Sequence, residues 1–297
     1  MEYRTLGKTG LRVSEVGYGA AQIGNINMPE DRVEEVLNAV LDAGINFIDT
    51  AAMYGQSETR IGKFISRRRD EFILATKCGD YVGETDGQYH IVRDYSRDGI
   101  LRTIDQSRKK LNMDVIDIVQ FHGLPDLDDD VEVAFEALLD ARERGWTRFV
   151  GVSADGNAAA AAALRWPLDT QEFTYNILYQ ESADNLMPAL KSQGMGTIIK
   201  RPISNAVWQQ RERPEGDYMG GPWDRAQSIP LADLAGEMPI LEFVLRFTLS
   251  HPDVCTAIIG STDPDHIRAN VGISDGRQLP DDIVKEARAA FQARFSG

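Results

Sequence analysis

Apolar runs with strand character alternate with segments of helical period along the chain. In Asp31–Asp42 and Val131–Arg144 the apolar residues recur every three or four positions, and Gly145 is placed to end the second of these helices. Ser57–Ile65, which starts at a Ser suited to capping, and Pro280–Phe295 are also predicted helices. The eight candidate strands are Val16–Gly19, Asn46–Asp49, Phe72–Lys77, Ile116–Phe121, Phe149–Val152, Phe173–Asn176, Gly196–Lys200 and Thr256–Ile259. This alternation predicts a parallel sheet with crossover helices.

Eight units of even length favour a closed (β/α)₈ barrel, a TIM barrel, over an open doubly wound α/β sheet. No Pro/Gly/Ser-rich linker divides the chain, so residues 1–297 are expected to form one domain. Ahead of the first unit, two short extended runs flank Gly7–Gly10, which predicts an N-terminal β-hairpin that could plug the barrel floor. Cys78–Tyr95 and Arg201–Met238 are expected to be long irregular loops at the C-terminal face, where barrel enzymes hold their active sites.

The formal net charge of −14 disfavours nucleic acid and anionic membranes as partners, because both select basic surfaces. No stretch approaches the ~18 uninterrupted apolar residues of a membrane span, and the polar segment Met1–Gly10 lacks the apolar core of a signal peptide. A cytoplasmic location is the resulting expectation. Cys78 and Cys255 form neither a disulfide framework nor a metal-spaced cluster, so we expect reduced, packed thiols and no metal site.

Four acid/base side chains stand at the ends of consecutive predicted strands. Asp49 ends the second strand, Tyr54 lies in the loop after it, Lys77 ends the third strand, and His122 follows the fourth. Taken singly, each residue type has an ordinary structural role, such as a helix cap, a packed aromatic ring, a solvated lysine or a core histidine. Neighbouring strands would nevertheless bring all four to the rim of one barrel, which is a specific pattern.

This constellation resembles the aldo-keto reductase superfamily, whose catalytic tetrad is Asp, Tyr, Lys and His. The resemblance covers nearly the whole chain. Further segments similar to motifs of that family are Leu6–Gly10 with Val13-Ser14, Gly44–Ala51, Gly151-Val152-Ser153, Tyr175-Asn176, and Ile259-Gly260-Ser261 through Asn270. The resemblance implies an NAD(P)-dependent oxidoreductase that transfers a hydride between a nicotinamide cofactor and a carbonyl or alcohol.

The residue types suit carbonyl reduction, which needs a hydride on carbon and a proton on oxygen. A tyrosine hydroxyl has an unperturbed pKa of about 10, so it is a reluctant acid at neutral pH. The Lys77 ammonium is expected to lower the pKa of Tyr54, with Asp49 holding Lys77 charged and oriented. His122 could donate a hydrogen bond to the substrate oxygen and place it near Tyr54. Run in reverse, the same residues would oxidise an alcohol, and the direction stays open.

The resemblance also implies a cofactor-binding set. Its members are Gly19, Ala20, Ser153, Glu172, Asn176, Lys200, Arg201, Pro202, Ile203, Gly260, Ser261, Thr262, His266 and Asn270. NADP is the family default, but the positions that carry a Lys and an Arg for its 2′-phosphate hold Gly260 and His266 here, so NAD is expected to bind as well. A helix starting near Asp263-Pro264 would add its N-terminal dipole.

Three further positions depart from the family pattern. Ala154 replaces an Asn after Ser153, and Lys200-Arg201 replaces an aromatic residue that stacks on the nicotinamide. Glu172 takes the place of a Gln, and the neighbouring Gln171 leaves the register open. A carboxylate cannot donate a hydrogen bond as an amide does unless it is protonated.

The expected partner is a small-molecule carbonyl or alcohol, for which a sugar or another small polar carbonyl is the favoured class. The two long connections carry aromatic residues that could wall a substrate pocket, namely Tyr81, Tyr89, His90, Trp208, Tyr218, Met219 and Trp223. Asp80, Arg201, Asn205 and Arg211 lie among them and would make that wall partly polar. Two alternatives remain open: a nucleotide-binding regulatory subunit of the same fold with little turnover, and a metal-free barrel lyase or isomerase.

Overall fold

The computed structural model describes residues 1–85, 87–125 and 130–295, in which strands and helices alternate. The strands are β1 (Tyr3–Thr5), β2 (Arg12–Ser14), β3 (Val16–Gly19), β4 (Phe47–Asp49), β5 (Ile73–Cys78), β6 (Asp80–Thr85), β7 (Gln88–Arg93), β8 (Ile116–Phe121), β9 (Thr147–Ser153), β10 (Thr170–Thr174), β11 (Gly196–Lys200) and β12 (Thr256–Ile259). The helices are α1 (Glu30–Asp42), α2 (Ser57–Phe64), α3 (Arg97–Leu111), α4 (Val131–Glu143), α5 (Gly156–Arg165), α6 (Glu181–Asp184), α7 (Leu186–Ser192), α8 (Asp217–Ser228), α9 (Leu231–Ala235), α10 (Ile240–Leu249), α11 (Pro264–Ile273) and α12 (Asp281–Phe295).

Eight of these strands close into a parallel barrel, in the order β3, β4, β5, β8, β9, β10, β11 and β12, and β12 pairs back with β3. The predicted (β/α)₈ architecture is therefore confirmed. One strand is displaced from its predicted place, because β10 spans Thr170–Thr174 and not Phe173–Asn176. Thr170, Gln171 and Glu172 are polar but buried, so a search for apolar runs missed them. Asn176 lies in a turn beyond the strand, where its Oδ1 accepts from Leu178 N.

The N-terminal hairpin closes the floor of the barrel, as predicted. β1 and β2 pair antiparallel, and Lys8 N donates to Gly194 O, two residues before β11. Leu6 is fully buried. The apolar cluster at the floor comprises Leu6, Leu11 and Val13 from the hairpin and Phe47, Ala75, Ile118, Ile198 and Ile258 from the barrel strands. The hairpin thus supplies apolar surface that the short strands could not supply by themselves.

Residues at the ends of α2, α4 and α11 cap or end the helix as their chemistry predicts, except for Ser57. The Asp130 side chain accepts from Val133 N at the start of α4, and Gly145, at φ +72°, follows its C-terminal end as predicted. The Asp263 side chain accepts from Asp265 N at the start of α11. Ser57, expected to cap α2, is instead its first residue, and its Oγ donates to Ala20 O.

The expectation of an irregular segment at Cys78–Tyr95 is wrong. β6 and β7 form a hairpin there, with Asp80 opposite Arg93 and Thr85 opposite Gln88. β-branched and aromatic residues on both sides of the Asp86-Gly87 sequence favour this structure, which was not predicted from the sequence. Arg201–Met238 holds a 3-10 turn at Ser204–Gln209 together with α8 and α9.

Both cysteines are free thiols, as expected, with Cys78 buried and Cys255 partly exposed. Within the described ranges, no helix combines the length and apolar character needed to cross a membrane.

Replacing Leu6 by Ala should lower the free energy of unfolding by about 2–5 kcal/mol, because it leaves a cavity in the floor cluster. Thr5→Ala, at an exposed position of the same hairpin, should change it by less than ~0.5 kcal/mol. Urea unfolding followed by circular dichroism measures both values. An unchanged midpoint for Leu6→Ala would show that the hairpin does not stabilise the barrel.

Candidate active site

The C-terminal ends of the barrel strands surround a cavity of about 790 Å³. Eleven of the residues expected to be catalytic or to bind the cofactor line it: Gly19, Asp49, Tyr54, His122, Ser153, Glu172, Lys200, Arg201, Pro202, Ile203 and Gly260. They come from strand ends that are distant in sequence, and the closed barrel brings them together.

Lys77 lies beneath this cavity and is completely buried on β5. Its Nζ lies 2.6 Å from Asp49 Oδ1 and 2.5 Å from Asp49 Oδ2, and it also donates to Thr50 O at 3.2 Å. Asp49 is 2% exposed and sits on the neighbouring strand β4, opposite Ala75. The parallel pairing of β4 and β5 therefore places the carboxylate beside the ammonium.

Tyr54 is held above this ion pair by a close contact between two loops. The Lys77 Nζ lies 5.4 Å from the centre of the Tyr54 ring, and the His122 ring meets the Tyr54 ring edge-on at 5.5 Å. Gly24 touches the Tyr54 backbone so closely that a Cβ at position 24 would lie 1.9 Å from Tyr54 O. Gly55 turns the chain at φ +53° directly after Tyr54. Two glycines thus fix the position of the phenol.

Burial raises the pKa of Tyr54 to about 12, and the Lys77 charge offsets that rise only in part. Asp49 and Glu172 add to the rise, because their negative charges disfavour a tyrosinate. The expectation of a lowered Tyr54 pKa is therefore wrong for this structure, although Lys77 acts in the predicted direction. At neutral pH the phenol keeps its proton.

His122 is neutral at neutral pH. Burial, and then the Lys77 charge, lower the pKa of His122 to about 3. Its Nδ1 is buried and has no hydrogen-bond partner among the described residues. A neutral imidazole offers one N–H donor and one acceptor, so this side chain can bind a polar group in the cavity.

Glu172 points into the barrel and meets the same lysine. Its Oε2 lies 3.2 Å from Lys77 Nζ and accepts from Gln120 Nε2 at 3.1 Å. Gln171 faces the opposite side of β10, where its Nε2 donates to Ala154 O. Burial is the largest single effect on the pKa of Glu172 and raises it, but the charges of Lys77 and Lys200 and the other polar groups around the carboxylate together outweigh burial and leave the pKa below its ordinary value. Of these two neighbours, Glu172 is the one that lines the cavity.

Two expected cofactor residues on the barrel do not line the cavity. Ala20 is buried behind it, and its N donates to Asp49 O. Asn176 is also fully buried, and its Nδ2 donates to Arg201 O at 2.8 Å. Both residues support the backbone of residues that do line the cavity.

The remaining candidates lie at the start of α11. Ser261 Oγ accepts from Asp263 N, and Asn270 is buried in the helix. His266 is 74% exposed, with its Nε2 3.9 Å from Asp263 Oδ2. Thr262 lines an adjoining cavity of about 880 Å³. The two cavities are lobes of one cleft, because they share Ala21, Gln22, Met53 and Tyr54.

Several lining residues were not singled out from the sequence as site residues, among them Ala21, Gln22, Met53 and Ala206. The first two directly follow β3, so their position after a strand end was the available signal. Met53 precedes Tyr54. Ala206 gives no chemical signal, and it lines the cavity through an unusual backbone with φ +53°.

The aromatic wall differs from the expected one. Tyr218 and Met219 line the cavity, as does Asn205, and the Arg201 guanidinium lies 4.3 Å from the Tyr218 ring centre. The expected wall residues that lie outside the lining of either lobe are Asp80, Tyr81, Tyr89, His90, Trp208, Arg211 and Trp223. The cause is the geometry of their elements: Tyr81 packs near Arg102 of α3, and Trp223 Nε1 donates to Gln210 O.

A family model described as the aldo/keto reductase family matches residues 15–291. L-galactose dehydrogenase from Arabidopsis thaliana is 29% identical, over 91% of this chain and 87% of the relative. D-threo-aldose 1-dehydrogenase from Pseudomonas sp is 29% identical, over 88% of this chain and 89% of the relative. The holo form of aldo-keto reductase AKR11C1 from Bacillus halodurans matches with a TM-score of 0.84 and 27% identity, covering 98% of this chain and 96% of that one. The chain therefore belongs to the aldo/keto reductase family and is an oxidoreductase.

Proposed function

We propose that this chain transfers a hydride between a nicotinamide dinucleotide and a polar carbonyl or alcohol, with Tyr54 as the acid/base. One observation carries the proposal: Tyr54 and His122 meet in a single cavity directly above the buried ion pair of Lys77 and Asp49. A barrel lyase or isomerase would have no need of a cleft long enough for a dinucleotide.

The residues around the cleft fit a nicotinamide dinucleotide. Gly19 and Gly260 leave open backbone at the rim, and a Cβ at Gly260 would come within 3.1 Å of Gly19 O. Lys200 and Arg201 bring two positive charges, which suit the phosphates. Ser153 is placed to bind a polar group of the nicotinamide ring. When bound, the dinucleotide supplies or accepts the hydride.

The side chains of this chain handle the proton. In reduction, the Tyr54 hydroxyl donates its proton to the carbonyl oxygen as the hydride reaches the carbon. The Lys77 ammonium stabilises the resulting tyrosinate, and Asp49 holds that ammonium in place. His122, as a neutral imidazole, orients the substrate oxygen through a hydrogen bond. In oxidation the tyrosinate takes the proton back.

The cavity lining favours a polyhydroxylated substrate. Gln22, Arg201 and Asn205 line the cavity with amide and guanidinium groups, and the guanidinium lies over the Tyr218 ring. An apolar ligand would leave such groups unpaired, at roughly 1–3 kcal/mol each. The names of two relatives, an L-galactose dehydrogenase and a D-threo-aldose 1-dehydrogenase, support a sugar as this substrate.

Nucleotide absorbance assays with aldoses, small polar carbonyls and apolar aldehydes of similar size, in both directions, test this proposal. We expect kcat/KM to be highest for the polar group. Tyr218→Ala should raise KM more than it lowers kcat, because Tyr218 lines the cavity but takes no part in proton transfer. Trp223→Ala, outside the cavity, is the matched control. Tight nucleotide binding without turnover on any substrate would favour the regulatory alternative.

Tyr54→Phe should lower kcat by at least ~10²-fold, the low end for loss of a general acid. Nucleotide affinity, measured by calorimetric titration, should change little. Because the pKa of Tyr54 is about 12, wild-type reduction should persist into alkaline pH, whereas oxidation should become faster as pH rises and tyrosinate forms. A Tyr54→Phe chain with near-normal turnover would remove Tyr54 from the mechanism.

The start of α11 is poorly suited to binding the additional phosphate of NADP, its 2′-phosphate. The Asp263 carboxylate caps the helix, and Arg268 Nη2 is bound to Asp265 Oδ1 at 2.5 Å. The His266 side chain lies close to the Asp263 carboxylate and is largely exposed. The chain's own carboxylates thus occupy the positive end of the helix dipole.

Affinities for NADPH and NADH should therefore lie within ~100-fold of each other, about 2.7 kcal/mol. Asp265→Asn should strengthen NADPH binding by about two- to fivefold, the effect of one charge near a helix end, and leave NADH binding unchanged. Calorimetric titration measures all four affinities, and Asp233→Asn on α9 is the control. A much larger wild-type preference for NADPH would contradict this reading of α11.

A further inference from the structure

One cation faces two carboxyl groups at the buried end of the cavity. Lys77 Nζ lies 2.5 Å from the nearer Asp49 oxygen and 3.2 Å from Glu172 Oε2. The side chains of Lys77, Asp49 and Glu172 are 0%, 2% and 3% exposed. The cluster is thus almost entirely buried, and it holds one more carboxyl group than it holds cations.

The groups around Glu172 do not supply a second buried cation within the described part of the chain. Gln120 donates to Glu172 Oε2 but is neutral, and His122 is uncharged because its pKa is lowered to about 3. Lys200 is partly exposed and lies 3.1 Å from an aspartate on the rim. Tyr54 would add a further negative charge if it ionised. The negative charge of the excess carboxyl group therefore has to be neutralised within the cluster.

We propose that Asp49 and Glu172 share one proton around the Lys77 ammonium, which makes Glu172 a second positioning residue for the lysine. Two ionised carboxylates repel each other in a dry site, and one added proton leaves the cluster electrically neutral. Burial first, and then the charge of Glu172, raise the pKa of Asp49 well above its ordinary value. The pKa of Glu172 stays below its ordinary value, because Lys77, Lys200 and the other polar groups around it together outweigh burial. These opposite directions are those of a pair that titrates as a unit.

The shared proton has a consequence for Tyr54. Once the proton leaves at high pH, the cluster becomes negative and disfavours the tyrosinate. Glu172 therefore keeps Tyr54 protonated over a wider pH range, and the protonated phenol is the form that reduction requires. This consequence rests on the proposed role of Tyr54, whereas the shared proton does not.

Glu172→Gln removes one half of the pair and leaves Asp49 ionised beside Lys77. Infrared difference spectra, wild type minus Glu172→Gln, should contain the carbonyl band of one protonated carboxyl group at neutral pH. Unfolding of the wild type should also release that proton, since an isolated carboxyl group has a pKa of about 4. Above about pH 5, the unfolding equilibrium constant of the wild type should rise by up to tenfold per pH unit relative to the variant.

The sign of this second effect follows from linkage. A pKa that is higher in the folded than in the unfolded state stabilises the protein at low pH, and the stabilisation is lost as pH rises through the folded-state pKa. Asp49→Asn should remove the same infrared band, so it serves equally if Glu172→Gln does not fold. Glu58→Gln, at another buried carboxyl group 1% exposed, should leave the Asp49–Glu172 signal unchanged.

The pH profile separates positioning from a merely structural role. In Glu172→Gln, the alkaline limb of kcat for reduction should move down by about one pH unit, because one negative charge near Tyr54 is gone. A structural defect would lower the rate at every pH without moving that limb. An absent difference band together with parallel stability curves would overturn the shared proton. A chain without turnover would refute the proposed function, and the infrared and unfolding results would still decide the inference.

Discussion

The catalytic end of the barrel depends on a lysine ammonium that has been removed from water. Unpaired, the buried charge of Lys77 would cost several kcal/mol, and removing one partner of such a pair typically costs about 3–5 kcal/mol. β4 supplies Asp49 from the neighbouring strand, and β10 supplies Glu172 from the other side of the barrel. The cavity therefore has a charged base, above which Tyr54 and His122 lie.

The two ends of the barrel interior have opposite character. At the floor, Leu6 and its hairpin neighbours complete an apolar cluster. At the mouth, the loop after β11 has positive φ at four non-glycine residues, Arg201, Ser204, Asn205 and Ala206. Such conformations cost on the order of 1–3 kcal/mol each and persist where the surrounding structure imposes them. The apolar floor and the strained loop thus lie at opposite ends of the barrel, and the loop supplies Arg201, Asn205 and Ala206 to the cavity lining.

The positive charges on the cavity wall contrast with the negative net charge of the whole chain. The net charge is −14, yet Lys200 and Arg201 stand side by side on the cavity wall. Carboxylates return at the start of α11, where Asp263 and Asp265 occupy the helix end. The cleft thus carries positive charge in the lobe with Tyr54 and His122 and negative charge at the start of α11, an arrangement that the total charge does not reveal.

The sequence by itself determined the alternation of strands and helices, the N-terminal hairpin, and the strand-end positions of Asp49 and Lys77. These depend on short-range properties, namely the spacing of apolar residues and the chemistry of glycine and aspartate at helix ends. β-branched and aromatic residues also indicate β6 and β7, which were not predicted from the sequence.

Only the tertiary structure decided how the site residues are used. The closed barrel turned Glu172 toward Lys77 and left Gln171 outside. Burial overcame the lysine charge at Tyr54, and the packing of the segment after β11 left Trp208 and Trp223 off the cavity wall, although Tyr218 lies there as expected. Each of these outcomes depends on desolvation and on side chains contributed by distant segments. The spacing of residues along one strand or helix reveals neither the desolvation nor those distant side chains.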